Sequence, residues 1–250
     1  MLSKKKRSRK SVFSFPHLVK HRVFDIIDLM RIIKIVPGEY YHVFNRAINK
    51  QVIFHDIADY TRFLFLILYF QSSINFPQIG RLVKHYVKHS VFDTMDVKEI
   101  IKKRTIELVA FCIMPNHFHL IIKELEDGGT AAYMQRVLNA YAKYYNTKYG
   151  KSGHVFQGPY RAVHIKDNRQ LLYLSAYIHR NVREISRWFN KERQYPWSSY
   201  QDFVDENRWG DLLMMDIILG QFKSKRKYRE FVETSPAKLF EGELDCLVEL

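Results

Sequence analysis

Two apolar runs separated by a dipeptide constrain this chain more than any other feature. Residues 106–114 (IELVAFCIM) and 117–125 (HFHLIIKEL) are rich in β-branched and aromatic types and flank Pro115-Asn116. They read as two strands meeting at a tight corner. Side chains alternate along a strand, so Phe118, Leu120 and Ile122 share the face turned to the core. His117 and His119 then stand side by side on the other face. Cα atoms two apart on a strand are separated by about 6.5–7 Å, so two imidazoles there can reach one cation. Neutral histidine is the commonest metal ligand among side chains. A His-x-His pair is nevertheless a weak signal alone, and two unrelated surface histidines on a half-exposed strand are the better reading until something completes the site.

The surrounding chain alternates strands with helices. Pro37-Gly38 punctuates it before a strand over 39–46 (EYYHVFNR), and Asp56 is the expected cap of a helix reaching about Ser72. Residues 73–105 form a basic, helical insertion. Thr130 is the expected cap of a long helix ending near Gly150, with an apolar stripe of Met134, Val137, Leu138, Tyr141, Tyr144 and Tyr145. Strand-like segments at 155–156 and 160–165 follow, then a helix from Asp167 or Asn168. The order implies an α+β fold, helices packed on a sheet. Three regions result: a basic extension over 1–33, a main domain over 34–205, and a helical extension over 206–250.

Charge narrows the partners. The chain has 40 Lys and Arg against 26 Asp and Glu, a formal +14, which favours a polyanion. A membrane surface and plain solubility are the competing explanations. The longest apolar run, 63–70, is well short of the roughly 20 residues a spanning helix needs. With Cys112 and Cys246 alone, neither a disulfide framework nor a cysteine zinc site is available, and a reducing, cytoplasmic setting fits. No Gly-rich nucleotide loop is present, so phosphate chemistry here runs without a bound nucleotide.

The helix from 168 carries Tyr177-Ile-His-Arg-Asn181. Positions i and i+4 lie on one helix face, so the phenol and the amide point together. Asn181 could supply a third, oxygen ligand and Tyr177 a nucleophile. On spacing alone, the better reading keeps Tyr177 in the apolar stripe with Leu174 and Ile178, and Asn181 at the helix end. Of the 16 tyrosines, Tyr141, Tyr144 and Tyr145 have the spacing of core residues.

The whole string changes that balance. YYHVFNRAINKQVIF (40–54), AFCIMPNHFHLIIKEL (110–125), YNTKYGKSGHVFQGPYRA (145–162), LLYLSAYIHRNV (171–182) and YPWSSYQDF (195–203) occur in order. Together they resemble the IS200-like single-tyrosine transposases, especially those associated with REP hairpins, over roughly residues 34–235. The resemblance implies a ferredoxin-like sandwich built on an antiparallel sheet. It makes His117 and His119 the HUH metal pair, Tyr177 the catalytic tyrosine and Asn181 the third ligand. Mg2+ or Mn2+ suits such an open donor set better than a closed structural zinc. It further implies DNA transposition and recombination chemistry on single-stranded or hairpin DNA, in a bacterial, nucleoid-associated setting, with a homodimer as one arrangement. Arg46, Arg161, Lys143 and Lys151, in or next to these strings, are the expected DNA contacts. A domesticated DNA-binding protein that has lost strand transfer is the alternative, and a metal phosphodiesterase using water is a third. Two departures from the family bear on the site: Pro159 replaces a common basic residue, and Val182 stands where relatives often have proline after Asn181.

Overall fold

The computed structural model describes residues 34–74, 78–92 and 97–235; the basic extension over 1–33 and the last part of the C-terminal extension lie outside them. The described residues from Ile35 onward belong to one compact unit. Four strands form its sheet: β1 (Tyr40–Arg46), β2 (Ile106–Met114), β3 (His117–Glu124) and β4 (Arg161–His164). Their order is β2-β3-β1-β4, and every neighbouring pair is antiparallel. Between β1 and β2 run α1 (Ile57–Tyr69), α2 (Ile79–His89) and α3 (Val97–Lys102). Between β3 and β4 runs α4 (Gly129–Tyr149). Each crossover skips one strand position, which is the split β-α-β arrangement of a ferredoxin-like fold. The expected fold class is therefore the observed one.

Local chemistry accounts for the element ends. The Asp56 side chain accepts from the Asp59 amide and starts α1. Asp167 does the same for the Gln170 amide and starts α5 (Asn168–Arg180). The long helix departs from expectation at its first turn. Gly128 is the N-cap, at φ 77°, and Thr130 lies inside the helix. Its amide and hydroxyl both donate to the Glu124 carboxylate at the end of β3, placing negative charge at the positive end of the helix. Gly150, at φ 60°, ends α4 as expected. Residues 155–156 make only an isolated bridge, Ala47 with Phe156, because the chain bends at Gly153 and Gly158, both at positive φ.

One face of the sheet is an aromatic core. Phe118 packs on Phe63 of α1 at 4.9 Å between ring centres, and Tyr141 of α4 meets Phe63 at 5.2 Å. Tyr141 and Tyr145 are buried, as their periodicity implied. The opposite face is covered by α5 and by the segment after it. That segment contains α6 (Tyr200–Val204), α7 (Asp216–Leu219) and α8 (Lys225–Thr234). It is knitted into the unit: Trp209, Leu212, Tyr228 and Val232 are core residues. Backbone bonds from Ile113 to Trp197, from Ser199 to Phe111 and from Met214 to Leu108 cover the outer edge of β2. An edge strand with open N–H and C=O groups invites unwanted pairing, and this one is closed.

Candidate active site

The cross-strand register lines up the functional side chains. In β1 and β3, Arg46 lies opposite His117 and Phe44 opposite His119. Across β1 and β4, Phe44 lies opposite Arg161. Directly paired residues share a face. His117, His119, Arg46 and Arg161 therefore all occupy the face opposite the Phe118 core. The two histidines are not surface residues: each is 8% exposed. Their rings lie 5.1 Å apart and perpendicular, at 90°.

Each imidazole has one nitrogen committed outward. His117 Nδ1 is 2.7 Å from Asn116 Oδ1, and His119 Nδ1 is 2.9 Å from His42 Nε2. Burial, reinforced by the charge of Arg46, pushes His117 down to about 4 against the pull of Asn181. Burial first, then His117, His42 and Arg46, holds His119 well below the ordinary histidine value. Both rings are thus neutral at pH 7, the form that can ligate a metal.

The helix side meets this pair within the same chain. The Tyr177 ring packs edge-on against His119, 5.7 Å between centres at 84°. Asn181 is 4% exposed and caps α5, its own amide bonded to the Tyr177 carbonyl. The chain continues as a 3-10 turn over Asn181–Glu184. With Val182 in place of proline the helical path is kept, and Asn181 stays one turn beyond Tyr177 on the same face. Its Nδ2 donates to the Tyr177 carbonyl at 3.3 Å, and its side chain works against the fall in the His117 value.

Behind Tyr177, the other side of α5 is tied down by a buried network. His179 Nε2 is 2.9 Å from Ser199 Oγ, and its Nδ1 is 2.8 Å from Tyr228 Oη. Tyr228 also donates to Ser175 Oγ, and Arg180 donates to the Ser235 carbonyl. Burial pushes His179 down to about 3.

The structure thus brings together His117, His119, Tyr177 and Asn181, with Arg46 and Arg161 on the same sheet face. It does not bring in Lys143 or Lys151. Lys143 is exposed on α4, the helix packed on the opposite face. Lys151 follows that helix, and its ammonium donates to the Tyr145 hydroxyl. Two neighbours were not singled out for chemistry from sequence: His42 and Asn116, the outer partners of the histidines. Alternation along β1 puts His42 on the face of Arg46, but only the register shows that it reaches His119. Among the described residues no group of three or more His, Cys, Asp or Glu is placed to hold a metal ion. No helix among them is long and apolar enough to cross a membrane.

Residues 81–181 match the family model described as "Transposase IS200 like", a span that includes the hairpin, both histidines, Tyr177 and Asn181. No curated protein matches the chain. Among solved structures, a REP-associated tyrosine transposase bound to a REP hairpin is similar at 14% identity and a TM-score of 0.45, over 73% of this chain and 89% of that one.

Proposed function

We propose that this chain, which the IS200-like transposase model matches over residues 81–181, is a member of that family and cuts and rejoins single-stranded DNA through Tyr177 with the help of a divalent ion. His117, His119 and Asn181 would hold that ion, Mg2+ or Mn2+. The observation that carries this reading is the meeting of the strand pair with the helix, the Tyr177 ring edge-on against His119. The donor chemistry fits a cation. With its Nδ1 hydrogen on Asn116, a neutral His117 keeps a lone pair on Nε2. That lone pair can take a proton or a cation, and burial disfavours the proton. When bound, the ion would supply positive charge where the phosphoryl oxygens become more negative.

The remaining steps fall to the chain's own groups. A free phenol has a pKa of about 10, so only on the order of one in a thousand is ionised at neutral pH. Tyr177 therefore gains most from being held in line with the scissile phosphate, where orientation replaces a bimolecular encounter. Its oxygen bonds to phosphorus as the bond to the 3′ oxygen breaks. The phenol gives up a proton and the departing oxygen takes one, leaving a 5′-phosphotyrosyl enzyme and a free 3′-hydroxyl. One ester replaces another, so the step is reversible and needs no nucleotide. Arg46 and Arg161, on the same sheet face, would pair with flanking phosphates. Tyr177 and the histidines come from one chain, so this reading needs no second copy to complete the site. The preference for hairpins follows from the resemblance of the strings.

A labelled hairpin oligonucleotide, incubated with Mn2+ or Mg2+, tests the proposal. Wild type is expected to form a covalent protein–DNA adduct that survives denaturation, and Tyr177→Phe to form on the order of 10³-fold less or none. Binding without any adduct would identify a DNA-binding protein that has lost strand transfer. Cleavage that persists in Tyr177→Phe would identify a hydrolase using water.

A further inference from the structure

We infer that Asn116 fixes His117 as the Nδ1–H tautomer, so that Nε2 is presented to the site before any ion arrives. The tautomer rests on geometry alone; its use in holding a metal rests on the function proposed above.

Asn116 closes the hairpin between β2 and β3, and its backbone is held there by a bond from the Ala47 amide to its carbonyl. Its side chain spans two partners. Nδ2 donates to the Lys50 carbonyl at 2.7 Å, and Oδ1 lies 2.7 Å from His117 Nδ1. The orientation of an amide is decided by its hydrogen bonds, and a carbonyl can only accept. The end facing Lys50 must therefore be the NH2, and the end facing His117 must be the oxygen. An amide oxygen cannot donate, so the hydrogen in the second bond belongs to His117 Nδ1. A neutral imidazole has one N–H, and Nε2 is left as a lone pair.

The Lys50 carbonyl is held at a conformational cost. Asn49 and Lys50 are consecutive non-glycine residues in the left-handed region, at φ 55° and 54°. Non-glycine residues in this region persist where their surroundings hold them. Here the loop is pinned by bonds from Ile48 to Val155, from Lys50 to Ala47 and from Gln51 to Ile48. The bend turns the Lys50 carbonyl onto Asn116, which connects loop strain to the protonation pattern of one imidazole.

His119 lacks such an anchor. Its partner is His42, a ring that can either donate or accept, and His42 Nδ1 is buried without a hydrogen-bond partner. The two histidines thus look alike in sequence but differ in how firmly their reactive nitrogen is set. Asn116 is a positioning residue for His117 alone.

The test uses the full chain with 15N-labelled histidine, without metal or DNA. Two-bond proton–nitrogen correlations read the tautomer of each ring. Wild-type His117 is expected as Nδ1–H, and finding Nε2–H there would overturn the inference. Asn116→Asp keeps an acceptor beside Nδ1 but cannot donate to Lys50; it is expected to retain the Nδ1–H form. Asn116→Ala loses the acceptor, and a mixture of tautomers is expected. An unchanged tautomer in Asn116→Ala, or the same loss in both variants, would assign Asn116 to the loop only and overturn the inference. Should Asn116→Ala fail to fold, wild type and Asn116→Asp still decide it. Mn2+ titration followed by electron paramagnetic resonance adds the second readout, with affinity about 10–100-fold weaker in Asn116→Ala and near wild type in Asn116→Asp. A wild-type Nδ1–H ring in a protein that binds no Mn2+ would uphold the inference and sink the proposed metal site.

Discussion

The two halves of the candidate site are held by different means. His117 and His119 stand on a central strand of the sheet, and their rings are fixed by short polar contacts to Asn116 and His42. Tyr177 and Asn181 stand on a helix whose position depends on what packs behind it. The His179, Ser199 and Tyr228 network and the Arg180 bond to Ser235 do that, and they draw on chain well beyond the sheet. A strand pair is rigid because both neighbours hydrogen-bond to it; a surface helix is only as well placed as its packing. The strand half should therefore govern metal affinity, and the helix half should govern whether the phenol reaches the phosphate.

Removing a strand-side ligand gives the largest separation of the two halves. His117→Ala or His119→Ala is expected to weaken Mn2+ binding by more than about 100-fold, read by calorimetry without DNA, since direct ligands outweigh their outer partners. A comparable loss in Tyr228→Phe, which touches no proposed ligand, would break the division. Acid should act on both halves together. His42, His117 and His179 lie at about 3, about 4 and about 3, all below the usual histidine value, because burial disfavours their charged forms. The folded state binds fewer protons than the unfolded one, so stability is full above about pH 6.5 and is lost as pH falls toward 4 and then 3. Urea unfolding at pH 7, 5.5 and 4.5 should show a fall on the order of a few kcal/mol, and an unchanged midpoint would show that these rings are not buried neutral.

Smaller effects sharpen the helix half. Tyr228→Phe leaves His179 Nδ1 buried without its partner and is expected to cost about 1–3 kcal/mol in urea unfolding. Its Mn2+ affinity should stay within a few-fold of wild type, because both imidazoles are on the strand. Arg46→Gln or Arg161→Gln should change least. Each is expected to lower the salt dependence of single-strand binding by roughly 0.7 in the log–log slope, measured by fluorescence anisotropy. Lys143→Gln is the control, expected to leave that slope unchanged, because Lys143 lies on the helix packed against the other face.

How much of this was legible in the sequence follows the range of the interactions. The hairpin at 106–124, the cap Asp56, the helix start at Asp167 or Asn168, and the buried stripe with Tyr141 and Tyr145 all depend on local pattern and were readable. So was the alternation that set His117 and His119 on one face. Their burial was not, because it depends on α5 and on the chain after residue 195 closing over the sheet. The His42–His119 contact spans 77 residues and needs the register of β1 on β3. The role of Asn116 was hidden for another reason. Nothing local announces that Asn49 and Lys50 adopt positive φ, although asparagine tolerates it better than most residues. The positions of Lys143 and Lys151 were hidden too, since a basic residue near a family-like string carries no information about which side of the sheet it lies on.

The meeting of strand and helix is tested most directly by asking which tyrosine becomes linked to DNA. The adduct formed with a hairpin oligonucleotide and Mn2+ can be trapped, digested with nuclease and trypsin, and sequenced by tandem mass spectrometry. The peptide 170–180, QLLYLSAYIHR, holds both Tyr173 and Tyr177 and so contains its own control. The nucleotide is expected on Tyr177 alone, out of 16 tyrosines in the chain. Linkage to Tyr173, or to Tyr141, Tyr144 or Tyr145 on the far side of the sheet, would contradict the assembly of one site from His117, His119, Tyr177 and Asn181.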